Sequence, residues 1–344
     1  MNASIRYVGP VVAALIAVFV AASTVALPND ALVCPTNQPR MDKYAFLRSL
    51  SIELRGVVPT VQEYNSLNDK NDVPQSLINT WLATDAFANQ AVRRHRDLLW
   101  NNVSNVRMFP APTGLKKSGQ LYWRSGGGVA NLLRGERVGC IDEPVKYAAD
   151  GQIVTKKQAD GTMREGYVMV SPFWAPSTKL KVCAFDAIEN AVSPVTGHNC
   201  SVPAYGGKVE GCGCGPNLRW CRYGSSERQI VEAFATAMDM QVAKLVKENR
   251  PYIDLFSEKT MFVNGPIVFF WKNQSQMARR QPMTPVPLDV DALPNLGYMD
   301  KNKWVEIALP SHHAGILTNP AFLLRFQTNR ARANRYYASF LCQP

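Results

Sequence analysis

No Cys-x-x-Cys-His motif occurs in the chain, which excludes covalent attachment of a c-type haem. There is no Gly-x-Ser-x-Gly elbow either, and with four histidines any Ser-His-Asp set is an assembly on paper. Nucleotide fingerprints are missing as well. Gly126-Gly127-Gly128 follows no clear strand, and neither Gly-x-Gly-x-x-Gly nor Gly-Lys-Ser/Thr is present. The 27 acidic residues contain no pair whose spacing marks catalytic carboxylates. Internal repeats are absent. The N-terminal run Val8–Ala22, apolar apart from Gly9 and Pro10, falls short of the roughly 20 residues that a membrane-spanning helix needs.

Acidic residues are outnumbered by 38 basic ones, for a formal net charge of +11. That balance favours acidic partners: a membrane surface, an acidic glycan or an envelope cytochrome. With 46% hydrophobic residues in 344, the chain has material for a real core in one large or two modest domains. Arg6, the apolar run and Thr24-Val25-Ala26 form a signal-peptide pattern over residues 1–26. The expectation is an exported protein, periplasmic or envelope-associated, for which nucleic acid is not an expected partner. An uncleaved N-terminal anchor is the alternative. A lipoprotein reading through Cys34 fails because Val33 occupies the position that needs a small residue.

Eight cysteines follow that segment: Cys34, Cys140, Cys183, Cys200, Cys212, Cys214, Cys221 and Cys342. An even number in an exported chain points to disulfides, up to four. A zinc site can be drawn from Cys212-Gly213-Cys214, Cys221 and His198-Asn199-Cys200. It lacks paired Cys-x-x-Cys knuckles, and an oxidising compartment disfavours free thiolates, so no metal is expected.

Helical spacing dominates both ends of the chain. Met41–Arg55 carries Phe46, Leu47, Leu50 and Leu54 and stops at Gly56, with Pro59 beyond. Thr60-Val-Gln-Glu63 is a capping-box pattern for a short helix. Further helices are expected from Val73-Pro74 to Ala83 and from Thr84-Asp85 to Val103. Residues 109–223 are rich in Gly, Pro and Cys, and Tyr167–Val170 and Lys179–Ala184 look like hairpin strands. Helical logic returns at Ser226-Glu-Arg-Gln229, a second capping-box pattern, and runs to Asn249. Pro251–Phe256 and Met261–Trp271 are shorter apolar segments, and 281–294 is a proline-rich loop. The expected architecture is mainly α. Two helical blocks, 34–108 and 224–344, pack together around a disulfide-stapled insertion, 109–223, that carries short β-hairpins.

The stretch Ser311–Cys342 is the most chemically loaded. His312 and His313 stand in tandem, but adjacent side chains diverge, so at most one enters a given pocket. A partner for His313 would come from His95, His198, Asp239 or Glu306. His95 lies on an apolar helix face, where a histidine satisfied by a backbone acceptor is the commoner case. Arg325, Arg330, Arg332 and Arg335 could form an anion site, since planar guanidinium forks suit oxyanions. Thr328-Asn329 could cap the helix that carries three of them. The competing reading is a solvated basic face.

Several segments also stand in a recognisable order: Asn249-Arg-Pro-Tyr-Ile-Asp-Leu-Phe, Phe262-Val-Asn-Gly265, His313-Ala-Gly-Ile-Leu-Thr318, then Thr328-Asn329, Arg332 and Leu341-Cys342. In this the chain resembles exported bacterial proteins, abundant in planctomycetes and myxobacteria, that are built from tandem domains of unknown function. Phe46–Thr60 is similar to the "DLxGxxPT" helix and turn that opens related members. The resemblance covers about two thirds of the chain, and Arg332 holds a family-matching position. Such proteins are often fused to c-type haem modules. The resemblance implies a binding or accessory component of a cytochrome-linked redox or glycan-handling assembly. The alternative is an enzyme using His313 with a metal or a non-covalently bound haem. This chain departs from the pattern in lacking the haem motif and in its Cys-rich middle, and no cofactor is expected in it.

Overall fold

The computed structural model describes residues 41–99, 108–109, 114–124, 134–202, 210–278 and 289–341. The expected signal segment, Cys34 and Cys342 lie outside the described residues.

The N-terminal block is four helices: α1 (Lys43–Arg55), α2 (Val61–Asn65), α3 (Gln75–Leu82) and α4 (Asp85–Leu99). Asp42 caps α1, its carboxylate accepting from the Tyr44 and Ala45 amides, and Gly56 ends it at φ 74°. Both halves of the Thr60–Glu63 capping box form at the start of α2. Leu47, Leu67 and Trp81 make the small core between these helices. Its rim is polar but tightly bonded. Arg55 pairs with both Glu63 carboxylate oxygens at 2.9 and 3.0 Å and lies 4.0 Å from the centre of the Trp81 ring. The Trp81 indole N–H donates to the same carboxylate at 2.7 Å.

The insertion folds into a real sheet. Strands β1 (Leu115–Ser118), β2 (Leu121–Arg124), β5 (Tyr167–Val170) and β6 (Leu180–Cys183) lie in the order β1-β2-β6-β5, with β2 and β6 parallel and the other pairs antiparallel. A two-residue ladder, β3 (Lys156–Lys157) with β4 (Met163–Arg164), stands apart. Three disulfides staple this region: Cys140–Cys183, Cys200–Cys212 and Cys214–Cys221.

The C-terminal block is built on α5 (Ser226–Lys247), whose Ile230, Phe234, Met238, Val242 and Leu245 are all buried. Around it sit α6 (Asp254–Ser257), β7 (Thr260–Val263), α7 (Gly265–Phe269), β8 (Val305–Ala308), α8 (Pro320–Arg325) and α9 (Asn329–Phe340). Helix α4 packs along α5 and sends Val92 and Leu99 into the same core. Arg96 pairs with the buried Asp239 of α5 and ties the two blocks together.

Two expectations are corrected. The fold is not mainly α: 40% of it is helix and 13% is strand in several sheets, a mixed α/β architecture. Strands β7 and β8 pair antiparallel in the middle of the block read as helical. Each is four residues long, too short for alternation to register, and their partnership spans a long excursion of chain. The second correction concerns the start of α5. Ser225, not Ser226, is its N-cap, and Ser225 makes no side-chain cap bond. The Ser226 hydroxyl instead accepts from the Tyr223 amide at 3.1 Å.

Burial by itself would raise the Glu63 carboxyl, but Arg55, the Thr60 amide and the Trp81 indole outweigh it and hold the group at about 2. A depressed carboxyl contributes stability that is present above its unfolded value and is lost as pH falls towards the folded one. The expected result is that Glu63→Gln loses urea resistance at about pH 7, and that its deficit against the parent shrinks at about pH 3.

Candidate functional site

An open cleft of about 690 Å³ lies in the stapled insertion. Two turns frame it. Residues 147–153 form a tight loop in which Tyr147 bridges Ile153 and Gly151 sits at φ 83°. The turn after β6, 184–190, is held from below: the Cys214 amide donates to Asp186 O at 2.8 Å and the Gly215 amide to Ile188 O at 3.1 Å. Gly213 has no room for a side chain, because a Cβ there would meet Ile188 O at 2.3 Å. The Cys212-Gly213-Cys214 ribbon therefore presses flat against that turn, and each cysteine bonds to a different partner.

Under the sheet lies a four-member ion network. Arg134 donates to Glu165 at 2.5 and 3.1 Å and to Asp186 at 3.1 Å, and these three side chains are fully buried. Arg124 completes it, reaching Asp186 at 2.7 Å and Cys212 O at 2.8 Å. Two positive and two negative charges balance, so the network braces the cleft floor and is not itself a reactive group.

The cleft lining combines Tyr147, which is 57% exposed, with Asp150, Gln152, Glu189, Asn190 and Glu210. Among the described residues no Lys or Arg lines it. An exposed phenol ring beside planar amides and carboxylates offers an apolar stacking face and several hydroxyl acceptors.

The residues singled out from the sequence lie elsewhere. His313 is 5% exposed, and exposed His312 stacks on it with centroids 5.1 Å apart. His313 Nδ1 is 3.2 Å from Thr318 Oγ1, and the same hydroxyl lies 3.3 Å from Gly315 O. Nε2 is buried and has no partner. Lys259 donates to the carbonyls of Ser311 and His313, clamping the loop. Burial, then His312, then Lys259 push the His313 imidazole below its ordinary value. None of the partners considered for it is a hydrogen-bond neighbour. His95 Nδ1 bonds Ala91 O at 2.7 Å, with Tyr252 OH 3.0 Å from Nε2, and burial holds it low despite the carbonyl. His198 bonds Val202 O at 2.8 Å, Asp239 pairs with Arg96, and Glu306 pairs with Lys244.

The arginines divide as well. Thr328 caps α9, its hydroxyl accepting from the Ala331 amide at 3.2 Å, and Asn329 accepts from Arg332. Arg332 Nε donates to Phe326 O at 2.7 Å, and Arg335 donates to Asp97 O at 2.9 Å. Ser339 joins it on Leu98 O, so α9 satisfies carbonyls at the end of α4. Burial and the neighbouring Arg325 lower the Arg335 guanidinium. Arg325 and Arg330 are exposed. Among the described residues one group has metal-ligand types in register: Cys140, Glu165 and Cys183. Two of its members share a disulfide and have no thiolate to offer.

Sequence reading passed over the cleft residues. The available signal was Asp150-Gly151, a hairpin dipeptide, which locates a turn but not what the turn faces. Arg124, Arg134, Glu165 and Asp186 carried no signal, because nothing local distinguishes a buried charge from a solvated one.

A group held below its unfolded value when neutral in the fold contributes stability above about pH 6.5 that is lost as pH falls through that value. Urea midpoints of the parent should therefore drop between about pH 7 and pH 5, and His313→Phe should flatten that slope. An unchanged slope would remove His313 from the account. Compared with family models, with curated proteins and with solved structures, the chain finds no match in any of the three.

Proposed function

We propose that the chain is an exported cell-envelope protein that binds a glycan, with the saccharide held in the cleft of the stapled insertion. The observation that carries this reading is the lining of the cleft: Tyr147 at the rim with Gln152, Asn190 and three carboxylates around it. A sugar's apolar face stacks on an aromatic ring, while its hydroxyls donate to carboxylates and amides. A floor braced by disulfides and a closed ion network keeps these groups in place, and preorganisation of that kind lowers the cost of binding.

The lining also selects. Asp150, Glu189 and Glu210 repel uronic acids and sulfated sugars, so the ligand is a neutral or amine-bearing saccharide, not the acidic glycan that net charge suggests. The reading keeps the glycan-handling half of the sequence expectation and a binding role over a catalytic one. Export is supported by the signal-like N-terminus together with three disulfides, which persist in oxidising compartments.

Titration calorimetry of the full chain with chitotetraose, cellotetraose and polygalacturonate tests it. Binding of at least one neutral oligosaccharide is expected, with Tyr147→Ala weakening it by about tenfold or more. Equal affinity in the variant, or heat only with polygalacturonate, would sink the cleft as a saccharide site.

A further inference from the structure

The last helix carries charge against its local electrostatics. Arg330 and Arg332 occupy the first turn of α9, where the helix dipole disfavours cations, and no acidic residue accompanies them. From Ile307 to Pro344 the sequence holds no Asp or Glu at all. Arg332 and Arg335 are engaged with backbone carbonyls on the inner side. The outer side, at helical spacing, presents Arg330, Tyr337 and Leu341, all exposed.

The adjoining side of α9, with Tyr336 and Phe340, packs on α6 and the residues just before it. Phe256 packs edge-on against Phe340 at 4.8 Å and against Tyr336 at 6.2 Å, and Tyr252 packs on Phe256 in turn. Ile253, beside them, is 68% exposed, the highest value among the large aliphatic residues of the C-terminal block. Apolar and aromatic side chains thus stand out from the surface around a shared aromatic base, with Arg325 and Arg330 exposed on the same basic segment.

We propose that this face docks on an anionic phospholipid surface. Tyr337, Leu341 and Ile253 enter the headgroup layer, and Arg330 meets the lipid phosphates. Protruding side chains suit insertion into a deformable interface, where tyrosine is favoured, better than they suit the rigid pocket of a protein partner. The net charge of +11 supplies long-range attraction to such a surface. No described helix is long and apolar enough to cross a membrane. This inference goes beyond the saccharide reading and uses none of the cleft residues.

The test is co-sedimentation of the full chain with vesicles of phosphatidylcholine alone and of phosphatidylcholine with one-third phosphatidylglycerol. Preference for the anionic vesicles is expected, weakening as salt rises. Arg330→Glu should weaken it by about fivefold or more. A glutamate in the first turn is compatible with the helix dipole, and an unchanged thermal midpoint confirms the fold. Ile253→Ser should lower binding further. Equal partition into both vesicle types would overturn the proposal, because an apolar segment elsewhere would then carry the binding. So would full anionic preference in the Arg330→Glu, Ile253→Ser double variant. An absence of vesicle binding leaves an acidic protein as the partner and overturns it too.

Discussion

The buried pairing of Arg124 and Arg134 with Glu165 and Asp186 is the constraint on which the middle of this protein depends. Charges that deep are tolerable only as a complete set, and removing one member of such a set costs about 3–5 kcal/mol. Arg124 is the end of β2, Asp186 lies in the turn after β6, and Glu165 lies between β4 and β5. The network therefore specifies how the strands sit as well as that they associate. Arg124 also bonds Cys212 O, which connects it to the disulfide ribbon. With the Cys140–Cys183 bond beside Glu165, the covalent and ionic constraints act on the same few residues. The cleft lies beside these constraints, with most of its polar lining borne on loops.

The C-terminal block has a different logic, built on close backbone approach and neutral polar bonds. Gly315, at φ 47°, leaves 2.0 Å between its virtual Cβ and Leu255 O, so the 313–318 turn seats directly on α6. Gly265 does the same against Gly297 O at 1.9 Å. Asn319 donates to Gln241, which donates to Thr260 O, joining α8, α5 and β7 through a buried amide chain. Arg250 gathers Asp254 and Glu258. Residues 249–258, 260–265 and 313–319 are neighbours here, and their most constrained residues hold the junction together. The proposed saccharide cleft lies outside that junction, in the stapled insertion.

Much of the helical framework was legible in advance because its signals are local. Gly56 ends α1, Thr60 and Glu63 cap α2, and the Ile230–Leu245 stripe marks α5. The hairpin strands Tyr167–Val170 and Leu180–Cys183 were readable from β-branched residues between turn formers. The parallel pairing of β2 with β6, and the partnership of β7 with β8, depended on residues far apart in the chain. The candidate residues fared by the same rule. Thr328 is the cap its sequence suggested. Arg332 and Arg335 looked like a cluster in one dimension, yet their donors turn to separate backbone carbonyls.

The amino-acid sequence by itself determined the oxidising chemistry of the cysteines, the main helical segments and the excess of positive charge, because each follows from composition or from contacts within a few residues. Tertiary structure alone decided which cysteines pair, that four charges would be buried together, and that Tyr147 would share a cleft with Glu189 and Glu210. Those outcomes depend on desolvation and close packing between distant segments, whose free energies exist only once the segments have met.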